Sequence, residues 1–192
     1  MPSAEARRAE LFRTTILPHL DGAYNLACFL TRDPILSEDM VQDAFLRAFR
    51  AFGDFRGGSA KAWLFAIVRN CCRTAMTTRG ASALRAVDAA ALTAEEVERV
   101  EDHADDAPDP EQALIRREDE AGVRGLLEAL PEPFREALVL RELEELSYKE
   151  IAEVTGVAIG TVMSRLSRAR AILCDLAAQA GAATDQARSE RQ

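Results

Sequence analysis

Between Ser147 and Arg170 the chain reads SYKEIAEVTGVAIGTVMSRLSRAR, two short helical patterns pinched around a glycine, and few folds accommodate that arrangement. Ser147 and Glu150 stand three apart ahead of an apolar run. That is the spacing of a capping box, in which hydroxyl and carboxylate each satisfy a backbone N–H that the first helical turn leaves unpaired. Ile151 and Val154 give this helix an apolar side, and Ala152 is small enough to let a second helix cross closely. Thr155-Gly156 predicts its end, because glycine accepts the left-handed conformation that closes many helices. In the next segment Ile159, Val162, Leu166, Ala169 and Leu173 recur at three- and four-residue spacings, which predicts one buried stripe. Thr161, Ser164, Arg165 and Arg168 lie off that stripe, and no acid falls between Glu153 and Asp175. Hydroxyls and guanidiniums on the exposed side of a helix suit phosphates and the O6/N7 edge of guanine. The competing reading, an ordinary amphipathic hairpin with a solvated basic face, requires turn, cap, small crossing residue and basic face to coincide by chance.

A net charge of −8 argues against a nucleic-acid binder only until the charge is located. Residues 88–111 hold ten acids against Arg99 alone, a balance of −9, so the remainder carries 23 basic and 22 acidic residues, or +1. The 33 residues from Phe55 to Val87 contain Arg56, Lys61, Arg69, Arg73, Arg79 and Arg85 without one acid. Distribution, and not total charge, sets what such a surface attracts.

Helical periodicity recurs along the chain with no sustained β alternation, which predicts an all-α protein. At 192 residues, two small helical domains are as natural as one. The pattern predicts a helix over Ala4 to Ile16, an interruption at Pro18, and continuation through Leu30 to a break at Asp33-Pro34. A further helix is expected from Ser37, as its cap, to Phe49. After a glycine-bearing loop, Ser59 should cap a long helix with Trp63, Leu64, Ile67 and Val68 facing inward. These elements form a first domain, 1–80. The stretch 81–110 has too little apolar surface for a core and is expected to be a flexible acidic linker that lets the halves move independently. A second domain, 111–180, is expected to hold a helix to Leu130 and, after Pro131-Glu132-Pro133, another to about Leu143, ahead of the two-helix motif. A disordered tail, 181–192, should follow where the apolar stripe fades.

Cys28, Cys71, Cys72 and Cys174 have no metal-ligand spacing, and His19 and His103 belong to no nucleophilic or paired-carboxylate arrangement. The expectation is reduced core or surface thiols, no cofactor, no metal and no catalysis. Neither an export signal nor a run of eighteen apolar residues is present, which points to a cytoplasmic protein.

Two separated blocks, SEDMVQDAFLRAFRAFGDFRGGSAKAWLFAIVRN from Ser37 to Asn70 and LPEPFREALVLRELEELSYKEIAEVTGVAIGTVMSRLSRAR from Leu130 to Arg170, are together similar to one family. The chain resembles a group 4, extracytoplasmic-function sigma factor, which consists of sigma domains 2 and 4. The resemblance implies binding to core RNA polymerase, promoter-specific initiation, and an anti-sigma factor as a further partner, which if membrane-bound would hold the chain at the inner membrane. It implies that Asp39, Gln42, Asp43, Phe45, Leu46 and Arg47 face the polymerase, although core packing stands as the alternative for Phe45 and a mutual ion pair for Asp43 and Arg47.

By the same resemblance, the loop Phe55, Arg56, Gly57, Gly58 and Ser59 and the following helix, with Lys61, Arg69, Asn70, Arg73 and Arg79, read the −10 element as an unstacked single strand. Trp63 invites a base-stacking role, but its spacing with Leu64 and Ile67 favours the core. Ile159, Gly160, Thr161, Ser164, Arg165, Ser167, Arg168 and Arg170 belong to the helix that reads the −35 element in the duplex major groove. Thr74, Thr77, Met163 and Ser167 depart from residues common in relatives, so promoter preference does not transfer. Two other readings are a helix-turn-helix regulator that acts without replacing sigma and a sigma-mimicking adaptor that titrates an anti-sigma factor. A sealed ligand pocket for the former is hard to build from a polar loop and a basic helix.

Overall fold

In the computed structural model, residues 3–86 and 122–189 are described, and the chain there is helical throughout. Helix α1, Ala4–Thr15, starts where the Ser3 side chain accepts the Ala6 N–H at 3.1 Å. Pro18 turns the chain through a 3₁₀ segment, Leu17–His19, into α2, Leu20–Thr31, which ends on Arg32 in the left-handed region (φ 57°). Helix α3 spans Pro34–Ala51, longer at both ends than expected. Its cap is Asp33, whose carboxylate accepts the Leu36 N–H at 3.0 Å, and not Ser37. Ser37 is buried one turn inside, where its hydroxyl donates to the Asp33 carbonyl at 2.8 Å. Pro34 explains the earlier start, since proline's fixed φ fits a first helical position that needs no N–H donor.

A 3₁₀ segment, Phe52–Asp54, leads to the glycine loop, and α4, Ala60–Ala86, begins where the Ser59 hydroxyl accepts the Ala62 N–H. The helix therefore overruns the expected boundary at residue 80, and the rest of the acidic linker lies outside the described residues. In the second half, α5 (residues 122–129) precedes α6, Glu132–Leu138, with proline in its first turn. From Val139 to Leu143 the ladder widens to a π segment, and the Glu144 N–H reaches the Val139 carbonyl at 3.1 Å. Helix α7 is Tyr148–Thr155 and α8 is Ile159–Ser189. Disorder was expected from Gly181, yet the backbone continues helical to Ser189; the alanines of this stretch carry high helix propensity without needing a packed face.

The capping box is present as read: Ser147 accepts from the Glu150 N–H and the Glu150 carboxylate accepts the Ser147 N–H at 2.8 Å. The Ser147 hydroxyl holds the Glu150 carboxyl below its ordinary pKa, so this stabilisation exists above the unfolded value and is lost as pH falls through the lowered one. Ser147→Ala is expected to remove about 1 kcal/mol of stability at neutral pH, read as a shift in the urea midpoint, and to remove less in acid.

In the first domain, α2, α3 and α4 pack around Leu26, Leu30, Val41, Ala44, Leu64, Phe65 and Val68. In the second, α6, α7 and α8 meet on Leu138, Leu140, Ile151, Val154, Val162, Leu166 and Ala169. Arg135, 3% exposed, lies across the end of α5, donating to the carbonyls of Glu128 (3.2 Å) and Leu130 (3.1 Å), a cation at the negative end of a helix. The domains do not stand apart as the linker suggested. Helix α7 packs on α4 and α6 on α2, and the buried side chains of both form one cluster.

Candidate nucleic-acid interface and docking groove

The loop after α3 is shaped by Gly57 (φ 92°) and Gly58 (φ 91°), backbone that a side chain at either position would strain. Together with Ala62, Trp63 and Ala66 of α4 and Glu153 of α7, Asp54 to Ser59 enclose a cavity of about 480 Å³. Its aromatic wall is braced from behind, for Phe55 stacks on Phe52 (6.1 Å between centroids) and lies 5.2 Å from Trp63. Trp63 is half-buried, so it both packs on the core and lines the cavity; the sequence reading allowed only the first to dominate.

The −10 residues expected on this surface divide into two groups. Arg56, Gly57, Gly58, Asn70 and Arg73 are exposed, and Phe55 and Ser59 are partly so. Lys61, Arg69 and Arg79 are already paired. The Lys61 ammonium donates to both the carboxylate and the backbone carbonyl of Glu144, each at 2.8 Å. Arg69 is only 9% exposed and forks onto Glu136, 2% exposed, with Nε to Oε1 at 2.5 Å and Nη2 to Oε2 at 3.3 Å. Arg79 pairs with Asp33 at 2.8 Å near solvent. In this arrangement Arg69 is a buried structural cation and not the open phosphate contact expected, because a carboxylate 67 residues away covers it.

The basic face at the start of α8 is intact. Gly160, Thr161, Ser164, Ser167 and Arg168 are exposed and Arg165 partly so, while Val162, Leu166 and Ala169 are buried beneath them. Two expectations change. Ile159 is 43% exposed and not part of the buried stripe, since at the first helical position it projects past the packed turns. Arg170 is held by Glu142 at 2.7 Å across the surface of the domain. Met163, 50% exposed on the same face, was noted only as a departure from relatives, yet it offers an apolar contact of the kind a thymine methyl takes.

Elsewhere on the first domain, α1, α2 and α3 line an apolar groove of about 690 Å³. Gln42, Phe45 and Leu46 of the expected docking set lie in it with Phe49 of the same helix, as do Phe12, Leu17 and Leu20, which the α3 block alone did not reveal. Leu46 is 52% exposed, and together with the exposed Leu17, Leu20 and Phe49 it makes a contiguous apolar patch and not a singly scattered leucine. Phe45 is half-buried, edge-on to Phe12 at 6.4 Å, and so serves core and groove together. Asp39 is exposed beside the groove, and Asp43 and Arg47 pair at 2.8 Å, the alternative left open for them. Arg8 ties α1 over this edge, donating to the Arg50 carbonyl at 2.9 Å and lying 5.4 Å over the Phe49 ring.

All four cysteines are free, and Cys71 and Cys72 are buried. Burial pushes the Cys72 thiol to about 12, which suppresses the thiolate that redox chemistry needs. Among the described residues no group of His, Cys, Asp and Glu is arranged to hold a metal, and no helix is long and apolar enough to cross a membrane.

Known proteins share this pair of modules. Residues 15–81 match the family described as Sigma-70 region 2, and residues 122–173 match Sigma-70, region 4. The chain is 40% identical over 162 residues to the RNA polymerase sigma-H factor of Pseudomonas aeruginosa, covering 83% of this chain and 82% of that protein. It is 38% identical over 135 residues to the ECF RNA polymerase sigma-E factor of Escherichia coli K12, covering 69% of each. Among solved structures, the sigma factor RpoE of Bartonella quintana, in complex with the anti-sigma factor NepR, superposes with a TM-score of 0.68 at 30% identity, covering 86% of this chain and 95% of that one. A glycine-loop pocket on one helical domain, a basic helix-turn-helix on the other, and matches to both in the same order show that the chain belongs to the extracytoplasmic-function sigma factors of the sigma-70 family.

Proposed function

We propose that this sigma factor seats its α1–α3 groove on core RNA polymerase, reads the −35 element with the start of α8, and captures an unstacked base of the −10 element in the pocket of the glycine loop. The observation that carries the reading is the pocket itself: backbone freed by two glycines, an aromatic wall of Phe55 and Trp63, and Arg56, Asn70 and Arg73 exposed nearby. A flipped base is held by such stacking and edge contacts, and its strand by cations. Duplex recognition follows from the open face of α8 at Gly160, Thr161, Ser164, Arg165, Ser167 and Arg168, where Arg165 and Arg168 carry the forked guanidinium that matches guanine.

Run-off transcription with purified core polymerase on a promoter library tests this directly. Specific start sites that depend on the added chain are expected; their absence overturns the proposal. In the same assay Arg168→Ala is expected to cost about 1–3 kcal/mol at a preferred promoter and to relax selectivity at one base pair of the −35 element. A uniform loss across all sequences would assign Arg168 to phosphate instead.

Regulation by an anti-sigma factor belongs to the same proposal. Its support is the likeness to RpoE, solved with its anti-sigma factor NepR, and an apolar groove open enough to take a helix of either partner. A cytoplasmic site of action accompanies the reading. Copurification of a tightly held second protein from uninduced native cells is expected, and its consistent absence would remove this part.

A further inference from the structure

The outward side of α8 has two edges of different chemistry. Thr161, Arg165 and Arg168 gather on one of them. With about 100° of turn per residue, Ile159 and Met163 stand one turn apart within roughly 40° of each other, and Met163 lies roughly 140° round the helix from Arg168. Both are large, exposed apolar side chains. Between the two edges, Gly160, Ser164 and Ser167 are small and exposed, and no described atom lies within 4 Å of the place a Gly160 Cβ would take. The start of α8 is therefore a low floor with cations on one rim and an apolar ridge on the other.

The ridge has no part in the fold. Val162, Leu166 and Ala169 build the core beneath this helix, and Ile159 and Met163 stay outside it. Charge decides what covers them. No acid occurs between Glu153 and Asp175, and Glu142, which reaches the helix from the π segment, is neutralised by Arg170 at 2.7 Å. A surface of hydroxyls and guanidiniums around an apolar ridge complements a polyanion. In the major groove of unmodified DNA the base edges offer donors, acceptors and a single apolar group, the C5-methyl of thymine.

We infer that Ile159 and Met163 are specificity-determining residues that read thymine methyls in the −35 element, at base pairs offset from the one that Arg168 reads. This rests on the −35 assignment made under the proposed function. The two side chains divide the task. Ile159, branched at Cβ, is stiff and sets the edge of the ridge, whereas unbranched Met163 adapts its thioether to the methyl it meets. Gly160 and Ser167, one turn before and after Met163, let the helix approach the bases closely enough for that contact. Cytosine offers the same edge without the methyl, so the ridge distinguishes the two pyrimidines by one apolar group.

The experiment uses the full chain assembled with core polymerase and competition binding to synthetic duplexes of the promoter preferred in run-off transcription. Each thymine of the −35 element, on either strand, is replaced in turn by deoxyuridine, which removes only the methyl. Binding by the wild type is expected to weaken about fourfold at one or two adjacent base pairs, the effect of one methyl group withheld from burial. Cytosine at the same place weakens it further, and 5-methylcytosine restores about fourfold of that loss. Met163→Ala, at an exposed position, is expected to become indifferent to deoxyuridine there while keeping the preference that depends on Arg168; Met163→Arg shifts the preference at that base pair to guanine. A preferred −35 element without thymine, or a wild type indifferent to deoxyuridine throughout it, would overturn the ridge. So would Met163→Ala and Ile159→Ala chains that both respond to deoxyuridine as the wild type does. Weaker binding of Met163→Ala to core polymerase with an unchanged deoxyuridine response would make the ridge a protein contact and overturn it too. Promoter-dependent starts with no methyl dependence sink the ridge alone, whereas no starts at all sink the −35 assignment beneath it.

Discussion

Leu46→Glu is expected to lower affinity for core polymerase by about a hundredfold, or roughly 2.8 kcal/mol, while leaving the chain as stable as before. The two halves of that expectation come from one number. Leu46 is 52% exposed, so the free protein loses almost no burial when the side chain changes. On docking, the apolar groove that Leu46 rims would close over a carboxylate, and a buried charge with no partner is among the costliest single changes an interface can suffer. Equilibrium binding to purified core enzyme, with thermal melting of the free variant alongside, reads both. An unchanged dissociation constant would move the docking surface away from α3. Leu46→Met, which keeps volume and polarity, is expected to retain most of the affinity.

Phe65→Ala is expected to cost the fold about 3–5 kcal/mol. The ring is fully buried where α4 crosses α2, close enough to the Cα of Gly22 that even a methyl group there would press upon it, and the Lys61 ammonium lies 5.4 Å above its face. Removing it empties the centre of the first domain and takes away a support of the contact between domains. Chemical denaturation is expected to show an earlier midpoint for the first domain, and Phe65→Leu, which leaves a smaller void, a lesser shift. A loss below about 1 kcal/mol would mean that the α2–α4 crossing is not the centre of the core.

Much of this molecule is legible in its linear pattern wherever local chemistry decides. Ser147, Glu150 and Gly156 fix a helix, its cap and its stop within ten residues, and the structure places each as the spacing predicts. Val162, Leu166 and Ala169 are buried as their periodicity requires. Ser37 misled because it is a good capping residue one turn inside a helix that Asp33 and Pro34 had already begun. Ile159 misled because periodicity cannot show that the first turn of a helix overhangs its neighbour. Trp63 was read as core or pocket, and a half-buried ring serves both.

The groove was only half visible. Gln42, Phe45 and Leu46 could be named from α3, but Phe12, Leu17 and Leu20 come from elements whose position against α3 depends on how α1 and α2 fold back. Least visible were the partners of the basic residues. Lys61 and Arg69 read as free cations because they stand in an acid-free run from Phe55 to Val87, and their carboxylates lie 83 and 67 residues away.

The helices, their caps, the placement of positive charge on two modules and the family resemblance are written in spacings of three to seven residues, which local sterics and hydrogen bonding read directly. Which of those charges face solvent emerges only once distant helices are packed together. Pairing across the domains depends on the inward turn of the π segment and on the missing side chain of Gly22 at a helix crossing. An ion pair forms wherever packing brings its members together, and no periodicity along the chain encodes that meeting.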